Sequence, residues 1–242
     1  MTGAVTLQSI ADWFRDPVHW HGSDGIPHRL AQHLSICGIS LLVALAVALP
    51  VGIVLGHYRK GGLIAQNVAN IGRAVPSLAI LIIAVPFVGI GARPAELALV
   101  ALAIPPVLTN AYVGMANVDP DVRDAAQGMG MTPFQAIRRA ELPLALPLIM
   151  AGIRTATFQV IATATLAAVV ASGGLGQFIT VGIEVRDNVE LVCGSLMVVG
   201  LAVTAELLIA GLQRLIIPTP VQSPIRSSPD DQPEGSTHAS AL

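Results

Sequence analysis

The sequence predicts an all-α fold: a polytopic membrane helix bundle of about five transmembrane helices, or six if one long block crosses twice. Three observations carry that expectation. Of 242 residues, 53% are hydrophobic and 12% charged, against about 25% charged in an ordinary soluble domain. The mean hydropathy is +0.71. The apolar residues also fall into blocks near the ~20 residues that carry a helix across ~30 Å of hydrocarbon, where each backbone amide must be satisfied within its own helix.

Residues 1–29 form an N-terminal segment outside the bundle. It contains Asp12, Trp13, Arg15, Asp16, His19, His21 and His28 and lacks the apolar run that a cleavable signal peptide uses. Leu7, Ile10, Trp13 and Phe14 share one face of a short helix, which suits the membrane interface and equally an exposed leader. The first block runs from about Leu30 to Gly56, with no charge between His33 and His57. Its Gly52 and Gly56 have the spacing that lets two helices approach closely, a pattern that loose glycine content also produces. The second block, about Leu63 to Ile90, holds Asn67, Asn70 and Arg73 in its first half. Pro76 is expected to split it into a short helix and a spanning one. The third block covers about Pro94 to Met115, the fourth about Pro143 to Ala171 and the fifth about Val189 to Ile217. Together, residues 30–217 make the membrane domain. Residues 218–242 are rich in Pro, Ser, Asp and Gln, cannot bury a core and are expected to be disordered.

With five spans, one side receives Arg59, Lys60, Arg123, Arg138, Arg139, Arg214 and Arg226, and the other Arg15, Arg29, Arg93 and Arg186. Lys and Arg accumulate on the cytoplasmic side of membrane proteins. The first set is therefore expected inside, with the N-terminus outside and the C-terminus in the cytoplasm.

Several functions lose support. Cys37 and Cys193 lie in apolar spans and suit small core positions better than a disulfide framework or zinc site. His19, His21 and His28 lie close together, but their spacing matches no specific metal-ligand motif. There is no Gly-x-Ser-x-Gly elbow and no pair of neighbouring carboxylates within a span, so no catalytic seat is visible. A phosphate-cradling loop ends in Lys followed by Ser or Thr; here Lys60 is the only lysine and precedes Gly61 and Gly62. No cofactor is expected in this chain, and no nucleic-acid partner. An ion-coupled transporter would keep ionisable groups inside its bundle. Arg73, Arg154 and Glu206, with His33 and Glu96 near span ends, make a thin relay, and an ion pair or interface-reaching side chains account for them equally well.

The stretch from Asp119 to Pro143 interrupts this oily background. Asp119 is a good N-cap, Pro120 suits the first helical position, and Asp121 and Asp124 place negative charge where the helix dipole is positive. A short helix should start there and stop at Gly128 or Gly130, since glycine readily takes the left-handed conformation. Thr132 and Gln135 are spaced as a capping box around Pro133, marking a second start. Pro143 should bound that second helix, because it pushes Leu142 away from helical geometry. Two short helices around a glycine joint would form a rigid knob suited to receiving force from another protein. The same caps would also serve a loop that is merely soluble.

Asp124, Ala125 and Ala126, then Gly130, then Leu142 and Pro143 resemble a motif of bacterial ABC importer permeases: E-A-A, three residues, G, nine residues, I, one residue, L-P. Asp124 stands for Glu and keeps the charge; Ala140 stands for Ile and removes an apolar contact. In that family the loop is a coupling helix seated in a groove of the ATPase subunit. The resemblance implies the same role for residues 119–143 in a bacterial plasma membrane. "AVPSLAIL" (Ala74 to Leu81) and "GIRTATFQVIATATLAAVVASGGLGQFI" (Gly152 to Ile179) resemble permeases of glycine betaine, carnitine, choline and proline betaine uptake systems, and the likeness runs from about Leu30 to Ile217.

The resemblance implies two permease chains, identical or homologous, enclosing a path in the lipid. A cytoplasmic ATPase dimer would use the ATP, and a separate extracytoplasmic binding protein would deliver the solute. Receptors of that kind hold quaternary ammonium in aromatic cages; two Trp, two Tyr and five Phe spread along this chain do not suffice for one. Pro76, Ser77, Thr155, Thr163, Gly173 and Gly174 are the candidate path and gate residues. Small residues at helical spacing also serve plain packing, and threonines can bond back to their own helix. The alternatives are a permease of the same architecture for an amino acid, an ion-coupled transporter, and a membrane scaffold that transports nothing.

Overall fold

A computed structural model describes residues 5–170 and 172–216. Helix α1 (Leu7–Arg15) opens with a capping box in which the Thr6 hydroxyl accepts from the Ser9 amide at 3.1 Å and Ser9 Oγ accepts from the Thr6 amide at 3.0 Å. Its apolar face packs inward. Trp13 joins Ile26, Leu175, Phe178, Cys193 and Val198 in a small core supported by Ile10 and Phe14, while Leu7 stays exposed. A 3-10 turn, Pro17–Trp20, leads to α2 (Ile26–His57). The remaining helices are α3 (Gly62–Ala74), α4 (Ser77–Val88), α5 (Ala92–Ala116), α6 (Pro120–Gly128), α7 (Pro133–Ala136), α8 (Leu142–Thr163), α9 (Gly176–Glu184) and α10 (Asn188–Ile216). The described residues contain no strand.

Helix α5 is the centre of the bundle, packing against α2, α3, α4 and α8, while α10 packs against α9, α8 and α1. Small residues make this possible. Ala44, Ala48, Ala98, Ala103, Ala156, Ala164 and Ala167 are all buried in the main core, where van der Waals contact at close range replaces a hydrophobic driving force. Gly52 and Gly56 are part of that arrangement rather than incidental. A Cβ on Gly52 would lie 2.7 Å from Ala111 Cβ, and one on Gly56 would lie 2.5 Å from Met115 Cβ.

Four helices are long and apolar enough to cross a membrane, or five if the bent pair α3 and α4 counts as one span. That corrects two expectations. The second block does break at Pro76, where Val75 (φ −82°, ψ 119°) and Pro76 (φ −69°, ψ 122°) are extended and the helix axis turns by 85°. Its second half, however, has 12 residues, roughly 18 Å at 1.5 Å per residue, and does not span alone. A sixth crossing is therefore absent among the described residues.

Pro143 does not end the second loop helix either. Leu142 is helical (φ −60°, ψ −43°), and the chain runs from Pro133 to Val170 as one apolar stretch. A π-helical turn, Ile137–Glu141, joins α7 to α8. The wider turn shifts the hydrogen-bond register by a residue, and that accommodates the amide hydrogen Pro143 lacks. Past Thr163 the helix tightens into a 3-10 segment, Ala164–Val170. The expected disordered tail lies outside the described residues.

Candidate functional site

The motif segment is built as its caps predict. Asp119 Oδ1 accepts from the Asp121 amide at 2.9 Å. Helix α6 closes with the Met131 amide donating to Ala126 O at 3.1 Å around Gly130, whose φ is +76°. Thr132 then caps α7: its hydroxyl accepts from the Gln135 amide at 3.4 Å, and Gln135 Oε1 accepts from the Thr132 amide at 2.9 Å. Ala126 and Ala136 are buried beneath the joint, and Asp124 and Ala125 are exposed. Met129 and Phe134, 69% and 70% exposed, flank the joint, so the segment presents two large apolar side chains outward. Leu142 is half-buried and Pro143 exposed at the foot of α8.

Behind the loop lies a charged cluster that sequence reading missed. Glu141 is 1% exposed. Its Oε1 is 2.8 Å from His57 Nδ1, and its Oε2 is 3.3 Å from Arg123, an ion contact without hydrogen-bond geometry. Arg123 also donates to His57 O at 2.9 Å and to Met115 O. Arg59 donates to Val118 O at 2.9 Å. One cluster therefore satisfies carbonyls at the C-terminal ends of α2 and α5 and ties both to α6 and to the π-turn. Glu141 falls inside the motif segment, but nothing in the linear sequence pairs it with His57.

Pro76, Ser77 and Thr155 meet at a second place. With Thr109, Asn110 and Gln159 they line a cavity of about 560 Å³ between the bend of the α3/α4 pair, α5 and α8. Thr163 is not in it; it lies with Ser77 at a small pocket deeper in the bundle. Asn110 and Gln159 were not singled out from sequence, and an amide isolated in an apolar span was the available signal. Several threonines do bond back to their own helix: Thr155 to Ala151 O at 3.0 Å, Thr157 to Ile153 O at 2.9 Å and Thr165 to Ala162 O at 2.9 Å.

Gly173 and Gly174 belong to neither place. Both have left-handed backbones, φ +78° and +79°, and they fold over the start of α2, where Gln32 Oε1 accepts from the Gly174 amide at 3.1 Å and from Arg29 at 3.1 Å. His33 beneath them is fully buried, its Nε2 3.1 Å from Ile161 O. Two other ionisable residues of the spans, Arg154 and Glu206, pair with each other. His19 stacks on Trp13 with ring centroids 3.9 Å apart.

The chain is 36% identical over 195 residues to the choline transport system permease protein OpuBB of Bacillus subtilis (strain 168), covering 81% of this chain and 90% of that one. It is also 36% identical over 195 residues to the glycine betaine/carnitine/choline transport system permease protein OpuCB of the same organism, again 81% and 90% covered. A solved structure of the MetNI methionine ABC transporter, in inward-facing conformations, shares the fold with a TM-score of 0.68, 22% identity, and coverage of 76% of this chain and 93% of that chain. The family described as binding-protein-dependent transport system inner membrane component matches residues 48–220. With its bundle of apolar helices, its motif loop and that match, the chain belongs to this family and is a multi-pass permease subunit of an ABC importer.

Proposed function

We propose that this permease moves osmoprotectants of the choline, glycine betaine and carnitine class, delivered by an extracytoplasmic binding protein and driven by ATP hydrolysis in a separate ATPase dimer. The family implies the binding protein and the ATPase; the solute class rests on the printed names of the relatives. A second permease chain, identical or homologous, completes the path within the lipid. The N-terminus lies outside and the loop of α6 and α7 in the cytoplasm.

The observation that carries the coupling reading is the joint at Gly130. Its left-handed backbone sets two capped helices at an angle, leaving Met129 and Phe134 exposed over a buried Ala126 and Ala136. Such a surface suits a groove on a soluble partner, in which aromatic and Met side chains act as anchors. Asp124, Ala125, Ala126 and Gly130 form the contact element, and Leu142 and Pro143 mark where it joins the span. Pro76, Ser77 and Thr155 line the path. ATP-driven closure of the partner would push the loop, and the two states of the bundle would be biased by solute and nucleotide together.

Reconstitution with the cognate ATPase and binding protein tests this reading. ATP-dependent uptake of labelled betaine and choline is expected, with methionine poorly taken up. Uptake without the ATPase, or a preference for methionine, would overturn it.

A further inference from the structure

We infer that the cavity lined by Ser77, Thr109, Asn110, Thr155 and Gln159 is a transit station for the cationic, methylated-ammonium end of the solute, which it holds with neutral oxygen dipoles. This deepens the reading of the chain as an osmoprotectant permease and rests on it.

What the lining groups have left to offer limits what the cavity can hold. A hydroxyl carries one hydrogen. Thr155 spends its hydrogen on Ala151 O at 3.0 Å and Thr109 spends its on Ala65 O at 3.4 Å, so both hydroxyls meet a guest as acceptors only. Asn110 commits one of its two amide hydrogens to Pro106 O at 2.8 Å, and its side-chain oxygen can accept. Gln159 Oε1 is buried without a hydrogen-bond partner among the described residues, a cost that an apolar side chain would not carry. Pro105 and Pro106 sit on the cavity wall and have no amide hydrogen, so the carbonyls of Ala101 and Leu102 one turn earlier lack their helical donors. Leu102 also lines the cavity.

The result is an enclosure of neutral hydroxyl, amide and carbonyl dipoles, with neither a carboxylate nor an aromatic ring among its described lining residues. A quaternary ammonium has no N–H to donate, but it is attracted by oriented oxygen dipoles. A carboxylate wall would bind it more tightly and hold it; conduction needs a site weak enough to leave. The neighbouring cavity of about 200 Å³ shares Ser77 and Pro105 but is otherwise walled by apolar residues such as Val68, Ile71, Ile80 and Leu102, with no threonine or amide side chain among its described lining residues.

The test uses the complete transporter in proteoliposomes with binding protein and ATPase, reading initial uptake of labelled choline and glycine betaine together with ATP hydrolysis. Gln159→Leu and Thr155→Val should each lower the maximal rate for choline about fivefold, the worth of one neutral polar contact. The half-saturating concentration of loaded binding protein and the ATPase stimulation should stay the same. Gln159→Glu should slow choline more than glycine betaine, because a fixed charge deepens the well for a full cation. Thr155→Val keeps the side-chain shape and decides the matter if the Gln159 variants fail to insert. Normal choline uptake by Thr155→Val, or by a Gln159 variant that inserts, would overturn the station. A wild-type complex that moves neither choline nor betaine would instead overturn the functional reading.

Discussion

The loop-side foot of the bundle and its mid-bundle cavity are both polar places in an apolar protein, and they treat polarity in opposite ways. At the foot, Glu141 is fully buried and is met by His57 and Arg123, while Arg123 also closes off carbonyls of α2 and α5 and Arg59 one just past α5. Charge there meets opposite charge, and the elements it joins should move as one body. In the cavity the groups are neutral, Thr155 and Asn110 bond to their own helices, and Gln159 Oε1 has no hydrogen-bond partner among the described residues. On the proposed reading, strong mutual pairing would stiffen the loop as a lever, and weak residual polarity would suit a passage that releases its cargo.

Glu141→Ala should break the foot most severely. Removing one partner leaves a buried guanidinium uncompensated, a cost of about 3–5 kcal/mol. Thermal denaturation of the detergent-solubilised protein should show it, and a stability close to wild type would mean the cluster is ornamental. Next comes Gly56→Val, where the new side chain would meet Met115 Cβ and Tyr112 O and push α2 off α5 at about 1–3 kcal/mol. Gly38→Ala, in the same helix with open space around it, should cost nothing by the same measurement.

A backbone effect is isolated at the joint. A Cβ on Gly130 would touch nothing, yet φ is +76°, so Gly130→Val should carry about 1–2 kcal/mol of local strain and sharply reduce ATP-driven uptake while membrane insertion survives. Gly128→Ala, with equal space and an ordinary φ, should transport normally; equal loss in both would contradict the joint. Thr132→Ala removes a cap worth about 1 kcal/mol, visible as faster proteolysis of the loop. Small in stability too is Thr155→Val, under about 0.5 kcal/mol, since its hydroxyl serves only its own helix and the cavity. A large stability loss there would make the cavity wall a structural element and erase the contrast with the foot.

Much of this was legible beforehand where the controlling interactions are local. The four long spans, the break at Pro76, the cap at Asp119, the turn at Gly130 and the box from Thr132 to Gln135 each depend on residues within about one helical turn. Local reasoning misled at Pro143, where a π-turn carried the helix through a residue that should have ended it. It also overestimated α4, because hydropathy does not register that an 85° bend leaves 12 residues to cross alone. The path candidates divided for a similar reason: Pro76, Ser77 and Thr155 converge on one cavity, Thr163 lies deeper, and Gly173 and Gly174 cover the start of α2.

A helical membrane bundle with one capped, motif-bearing loop follows from the linear chain, because hydrophobic block length and capping act over short stretches. That Glu141 meets His57, 84 residues away, and that the amides of α5 and α8 share a cavity, depends on the folded packing. Those encounters are set by how closely small residues let α2, α5 and α8 approach, a property of packed surfaces that no short stretch of sequence contains.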